Sequence, residues 1–107
     1  MTFATLATLP AKAILGGAIQ GHYAHLDRLT IGEVELPADA VLPLHAHPHE
    51  QITYVLSGRL QFTVGHETAV LGAGMVVLIP GGVSHGAKVL TTARVIDVFT
   101  PVRDDYR

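Results

Sequence analysis

The sequence predicts an all-β fold, built as a closed barrel or a double-sheet jelly roll. Three features carry that expectation. Gly and Pro break the 107-residue chain at short intervals. The runs between the breaks are rich in Val, Ile, Leu, Thr, Tyr and Phe, the pattern of short strands joined by tight turns. No stretch sustains a helical period, so helix is expected to be minor. About eight short strands in a single domain, residues 1–107, is the predicted organisation.

Taken in order, the first break falls at Gly16 and Gly17 and the second between Pro37 and Asp39, so an early strand is expected to carry His22 and His25. The clearest strand signal is "ITYVLSGRLQFTVG". In it Leu60, Phe62 and Val64 alternate with Arg59, Gln61 and Thr63, a period of two. Ser57 and Gly58 stand where a hairpin turn is expected. Further breaks follow at Gly65–His66, at Gly72–Gly74 and at Pro80–Gly82. "MVVLIP" is a continuous apolar run ended by Pro80, which predicts a strand buried on both faces. "ARVIDVF" predicts the last strand.

Composition narrows the function. Nearly half the chain is apolar and 15% is charged, enough to build one core and too apolar for a disordered segment. The net charge of −2, with no basic stripe, gives no reason to expect nucleic acid as a partner. There is no cysteine, so any metal must be held by nitrogen and oxygen. "MTFATLATLPAKAILGG" lacks a basic leading segment and is interrupted by Lys12, so it reads poorly as a signal peptide. A cytoplasmic location is expected. No apolar run approaches the ~18 residues of a membrane span, so no membrane partner is expected. The apolar excess points instead to a filled core or a subunit interface.

The chemistry concentrates in "LHAHPHEQ", residues 44–51. Residues two apart on a strand face the same side, so His45 and His47 can grip one ion. Pro48 cannot donate to a sheet ladder and predicts a turn. Parity across that turn is not fixed, and spacing alone leaves His49, Glu50 and Gln51 open as a third ligand. A second site lies in "GMVVLIPGGVSHG", where His85 follows a strand and a Pro-Gly-Gly turn. If the barrel closes, His85 can face the first pair.

With these residues in place, the sequence resembles the cupin superfamily, whose fold is a double-stranded β-helix, a jelly-roll barrel. Its first motif, G-x5-H-x-H-x3,4-E-x6-G, is met by His45, His47 and Gly58, with Asp39 for the first Gly and Gln51 for the Glu. Glu50 falls one residue too early. Its second motif, G-x5-P-x-G-x2-H-x3-N, is met by Gly74, Pro80, Gly82 and His85, with Val89 for the final Asn. The match spans roughly residues 39–89. It implies His45, His47, Gln51 and His85 as ligands of one divalent transition metal ion, whether Ni, Zn, Mn, Fe, Co or Cu. His49 and Glu50 are then expected at the rim. A neutral glutamine in place of a carboxylate leaves the full charge of the ion on the site. Weaker metal affinity and stronger Lewis acidity should follow.

The tail "DVFTPVRDDY" extends the resemblance to small single-domain cupins of pectin and alginate breakdown, from about residue 41 to residue 106. That family includes enzymes that linearise 4,5-unsaturated uronates. The resemblance implies a metal-dependent ring-opening isomerase acting on a small anionic sugar or carbonyl substrate. In it Asp97 is the acid/base, Arg103 binds the substrate carboxylate and Phe99 lines the pocket. Cupins of this size are commonly dimers, so a homodimer is expected. The residues themselves agree in part. Asp97 sits between Ile96 and Val98, and a carboxylate there is costly to bury unless it is paired or functional. By parity it shares a face with Val95 and Phe99, and we read that face as inward. Two rival classes share the motifs: an Fe(II)-type cupin dioxygenase and a non-catalytic metal- or sugar-binding cupin. His22, His25, His66, Arg59 and Lys88 are read as structural or surface residues, although His22 and His25 stay open as pocket neighbours.

Overall fold

The fold is described from a computed structural model covering residues 2–107. Eight antiparallel strands make up nearly all of its regular structure: β1 (Ala11–Ile14), β2 (Ile19–His25), β3 (Thr30–Leu36), β4 (Val41–His45), β5 (Glu50–Val64), β6 (Glu67–Leu71), β7 (Val76–Ile79) and β8 (His85–Thr100). Three 3-10 turns, Leu6–Thr8, Leu15–Gly17 and Asp104–Tyr106, are the helical content among the described residues. None of these is long and apolar enough to cross a membrane.

The strands wrap into a jelly roll because β5 and β8 each serve two sheets. The first half of β5 pairs with β7 on one side and with the second half of β8 on the other. Its second half pairs with β6 and with the first half of β8. β8 in turn carries β4 beside its first half and β3 beside its second, with β2 and β1 beyond. Two sheets thus fold over one interior. Each strand shows one face to that interior, as in the alternating burial of β3 and of the first half of β5. Leu60, Val34, Val55 and Val89 are almost completely buried there. Each such side chain is worth roughly 1.5–3 kcal/mol on burial.

Three sequence expectations change. Ser57-Gly58 is not a hairpin turn but a run of bulges inside the continuous strand β5, where its register against β8 shifts. Gly58 has φ 84°, and a Cβ on it would lie 2.3 Å from the Thr92 carbonyl oxygen. The strand has to bend where it crosses from one sheet to the other, and only glycine tolerates both the dihedral and the contact. "MVVLIP" is buried on one face only: Val77 and Ile79 point in, while Val76 and Leu78 are exposed. Among the described residues, no layer covers the sheet on that side. "ARVIDVF" is the second half of the longer strand β8.

Candidate metal centre

The site is assembled where β4 ends and β8 begins. His45 closes β4 and is the cross-strand partner of His85, the first residue of β8. His47 lies just beyond β4, in the turn that Pro48 predicts. Its backbone is held by the Pro-Gly-Gly turn: the Gly82 amide donates to the His47 carbonyl at 2.8 Å. Gly81 packs so close that a Cβ would meet the Pro48 carbonyl oxygen at 2.5 Å. The two sequence motifs are therefore fastened to each other through backbone.

The three rings share one arrangement. Each keeps Nδ1 on a carbonyl oxygen two residues away: His45 on Pro43 at 2.8 Å, His47 on His49 at 3.1 Å and His85 on Val83 at 3.0 Å. Nδ1–H is the donor in each, which leaves Nε2 as the free lone pair, the tautomer a metal ligand needs. Burial lowers the pKa of His47 and His85, which favours the neutral form of each. The rings pack with centroids 4.3 Å apart for His45–His85 and 4.7 Å for His47–His85, and the offered nitrogens lie within 4.8 Å of one another. The three histidines could hold a metal ion.

Two further observations fit a cation at this point. The buried Nε2 of His85 has no hydrogen-bond partner among the described residues. The Nε2 lone pair of His47 faces the carbonyl oxygen Oε1 of Gln51 at 3.0 Å. With the proton on Nδ1, two acceptors meet there, and a positive ion would resolve the clash.

Gln51 and Thr53 occupy the inner face of β5, opposite Phe99 and Asp97 of β8. The Gln51 side-chain amide donates from Nε2 to Thr53 Oγ1 at 2.9 Å, and Thr53 Oγ1 donates to Asp97 Oδ1 at 2.6 Å. A longer contact of 3.5 Å joins Gln51 Nε2 to the same carboxylate oxygen. Asp97 thus faces inward, as its parity with Val95 and Phe99 predicts. Burial pushes its pKa up to about 6, against the opposing pull of the Thr53 and Gln51 hydrogen bonds and of Arg103.

Arg103 comes from the tail after β8 and is buried. Its guanidinium lies over the rings of Tyr106, at 4.0 Å, and Phe99, at 4.7 Å. Both nitrogen donors on its near edge bind the exposed carboxylate of Asp105, at 3.0 and 2.8 Å. That guanidinium in turn holds the Asp105 carboxyl below the usual carboxylate range. His45, His47, Gln51, His85, Asp97, Phe99 and Arg103, all marked by the sequence, line one cavity of about 50 Å³.

Thr53 and Tyr106 escaped sequence reasoning. Thr53 was findable, because it sits two residues from Gln51 on a strand and so shares its face. Tyr106 depends on how the tail folds back, which no period reports. Glu50 is exposed, whereas His49 is half-buried, its ring 5.4 Å from that of His47. His22 and His25 bind elsewhere, to the Leu9 carbonyl and the Thr30 hydroxyl, and do not line the cavity.

The comparisons with known proteins agree with this geometry. The family described as Cupin domain matches residues 32–99. An uncharacterized protein of Streptomyces coelicolor, SCO3923, is 34% identical over 74 residues, covering 68% of this chain and 70% of that protein. Dimethylsulfoniopropionate lyase DddQ of Ruegeria pomeroyi is 36% identical over 63 residues, covering 58% of this chain but only 31% of the lyase. Among solved structures, an RmlC-like cupin from Shewanella frigidimarina has a TM-score of 0.91 at 29% identity, covering 100% of this chain and 96% of that one. KdgF from Halomonas sp. has a TM-score of 0.87 at 31% identity, covering 98% and 97% of the two chains. With its motifs, its jelly roll and its histidine trio accounted for, the chain belongs to the cupin domain family.

Proposed function

We propose that this cupin opens the ring of a 4,5-unsaturated uronate and releases the linear keto sugar. The observation that carries the reading is the shared cavity, where a half-buried carboxylate, Asp97, stands beside a metal-competent histidine trio and a buried guanidinium. The resemblance of the two motifs and the tail to uronate-linearising cupins supports it, as does the likeness to KdgF.

His45, His47, His85 and Gln51 would hold the ion. A bound divalent ion supplies Lewis acidity that polarises the sugar oxygens. Arg103 binds the substrate carboxylate through two parallel hydrogen bonds, taking the place that Asp105 fills. Phe99 backs the guanidinium and walls the pocket. Asp97 takes the proton from the hydroxyl at C1. The C1–O5 bond breaks, C1 becomes an aldehyde carbon and O5 remains on C5 as an enolate. Asp97 then delivers the same proton to C4, and C5 becomes a ketone. Atoms and electrons balance within the one molecule. A carboxyl group whose pKa is raised to about 6 suits both halves of that transfer.

The test is a proton NMR time course with metal-loaded protein and 4,5-unsaturated galacturonate. Loss of the vinyl signal with wild type, and not with Asp97→Ala, is expected. No acceleration with any candidate metal refutes the reading. The likeness to a dimethylsulfoniopropionate lyase favours a second one, breakdown of a small carboxylate of that kind. Adding dimethylsulfoniopropionate to the same series decides between them.

The protein is also proposed to act as a homodimer. Ile31, Val98, Ile52 and Leu78 form one cross-strand row on the outer face of β3, β8, β5 and β7. Three of the four are exposed, and Tyr54, Leu56, Met75 and Val76 widen the apolar face. A second copy would cover it. A monomer by sedimentation at micromolar concentration refutes this.

A further inference from the structure

We propose that Thr53 is the positioning residue that aims the Gln51 carbonyl at the metal position and ties that ligand to Asp97. The inference rests on the metal-centre part of the reading above and not on the substrate.

An amide offers two chemically opposite ends, and only the oxygen is a useful ligand for a divalent cation. Something must therefore decide which end of Gln51 faces the histidines. A glutamate needs no such device, since both its oxygens are ligands. The Thr53 hydroxyl has a single proton, and the 2.6 Å contact with Asp97 Oδ1 consumes it. Asp97 as a carboxylate has no proton to offer in return. The lone pair left on Thr53 Oγ1 can accept, and among the described residues its donor, at 2.9 Å, is the Gln51 side-chain amide. Nε2 must point to Thr53, so Oε1 must point to the Nε2 of His47.

Geometry makes the arrangement stiff. Thr53 is 2% exposed and Gln51 8% exposed, so both groups are shielded from bulk solvent. Gln51 and Thr53 stand two apart on β5, and Thr53 is the direct cross-strand partner of Asp97. Backbone register therefore sets all three side chains at once. Two ordered hydrogen bonds, Thr53 to Asp97 and Gln51 to Thr53, join the proposed proton carrier to the amide whose oxygen faces the metal position. Groups that orient a ligand in this way typically govern metal affinity by about ten- to a hundredfold.

The test loads wild type, Thr53→Val, Thr53→Ser, Gln51→Ala and the Q51A/T53V double variant with Co(II). Visible absorption reports the ligand field and titration reports affinity. Valine keeps the shape of threonine and removes the hydroxyl. The expected result is that T53V weakens Co(II) binding by about tenfold and moves the spectrum to that of Q51A. T53S should restore both, and T53V should add nothing in the Q51A background. A T53V protein with wild-type affinity and spectrum overturns the inference. So does an equal loss from T53V in both backgrounds, which marks a merely structural threonine. A Q51A protein with a wild-type spectrum removes Gln51 as a ligand and the relay with it, and leaves ring opening to the vinyl-proton assay. Failure of wild type to take up Co(II) overturns the relay together with the metal centre.

Discussion

Replacing Asp97 with Asn should change how stability depends on pH, and the structure sets the size. The folded pKa of Asp97 is about 6 against an ordinary 3.8, with burial as the leading cause. A carboxyl group with a raised folded pKa contributes stability that is fully present below the unfolded value. That contribution is lost as pH rises through the folded value. The window therefore runs from about pH 4 to just above pH 6. The difference between 3.8 and about 6 corresponds to roughly 3 kcal/mol, and the partial solvent contact of the residue trims this to roughly 2–3 kcal/mol. The assay is urea unfolding of metal-free wild type and Asp97→Asn at steps from pH 4 to pH 7.5. Wild type should lose that amount relative to the variant across the window. His47 and His85 also titrate, in the opposite sense, since burial lowers them. Asp97 is not among the causes of either shift, so both cancel in the difference. A wild-type-minus-variant difference that stays flat with pH would refute the burial argument.

Three further outcomes follow from the same contacts. Asp105→Asn should release the Arg103 guanidinium and lower KM for an anionic substrate severalfold with kcat little changed; an unchanged KM means Asp105 does not compete for that site. Gly58→Ala should destabilise the fold by about 1–3 kcal/mol, since alanine must adopt a positive φ and push against the Thr92 carbonyl, and urea unfolding reads this directly. A divalent metal at a hundredfold excess over its Kd should stabilise wild type by about 3 kcal/mol and His85→Ala by much less, seen as a Tm shift in calorimetry.

Much of this protein was legible before any fold was known. Periodicity and breaks announced an all-β chain, because the alternation of side chains along a strand is a local property of the backbone. The histidines of the two motifs were legible by type and spacing, and the inward face of Asp97 by parity with Val95 and Phe99. What failed locally were Ser57-Gly58 and "MVVLIP". A glycine looks the same in a hairpin as in a bulge, and what decides is the Thr92–Ala93 backbone lying against Gly58. An apolar strand looks the same under a covering layer as without one, and here Val76 and Leu78 lie on an exposed face. The tertiary structure alone decided that His85 meets His45 and His47, that Thr53 stands opposite Asp97, and that Arg103 lies between Phe99 and Tyr106 with Asp105 on its edge. Those pairs join residues from β4, β5, β8 and the tail. Sequence spacing carries information along one strand, whereas register between strands is set by bulges and by the packing of the whole barrel.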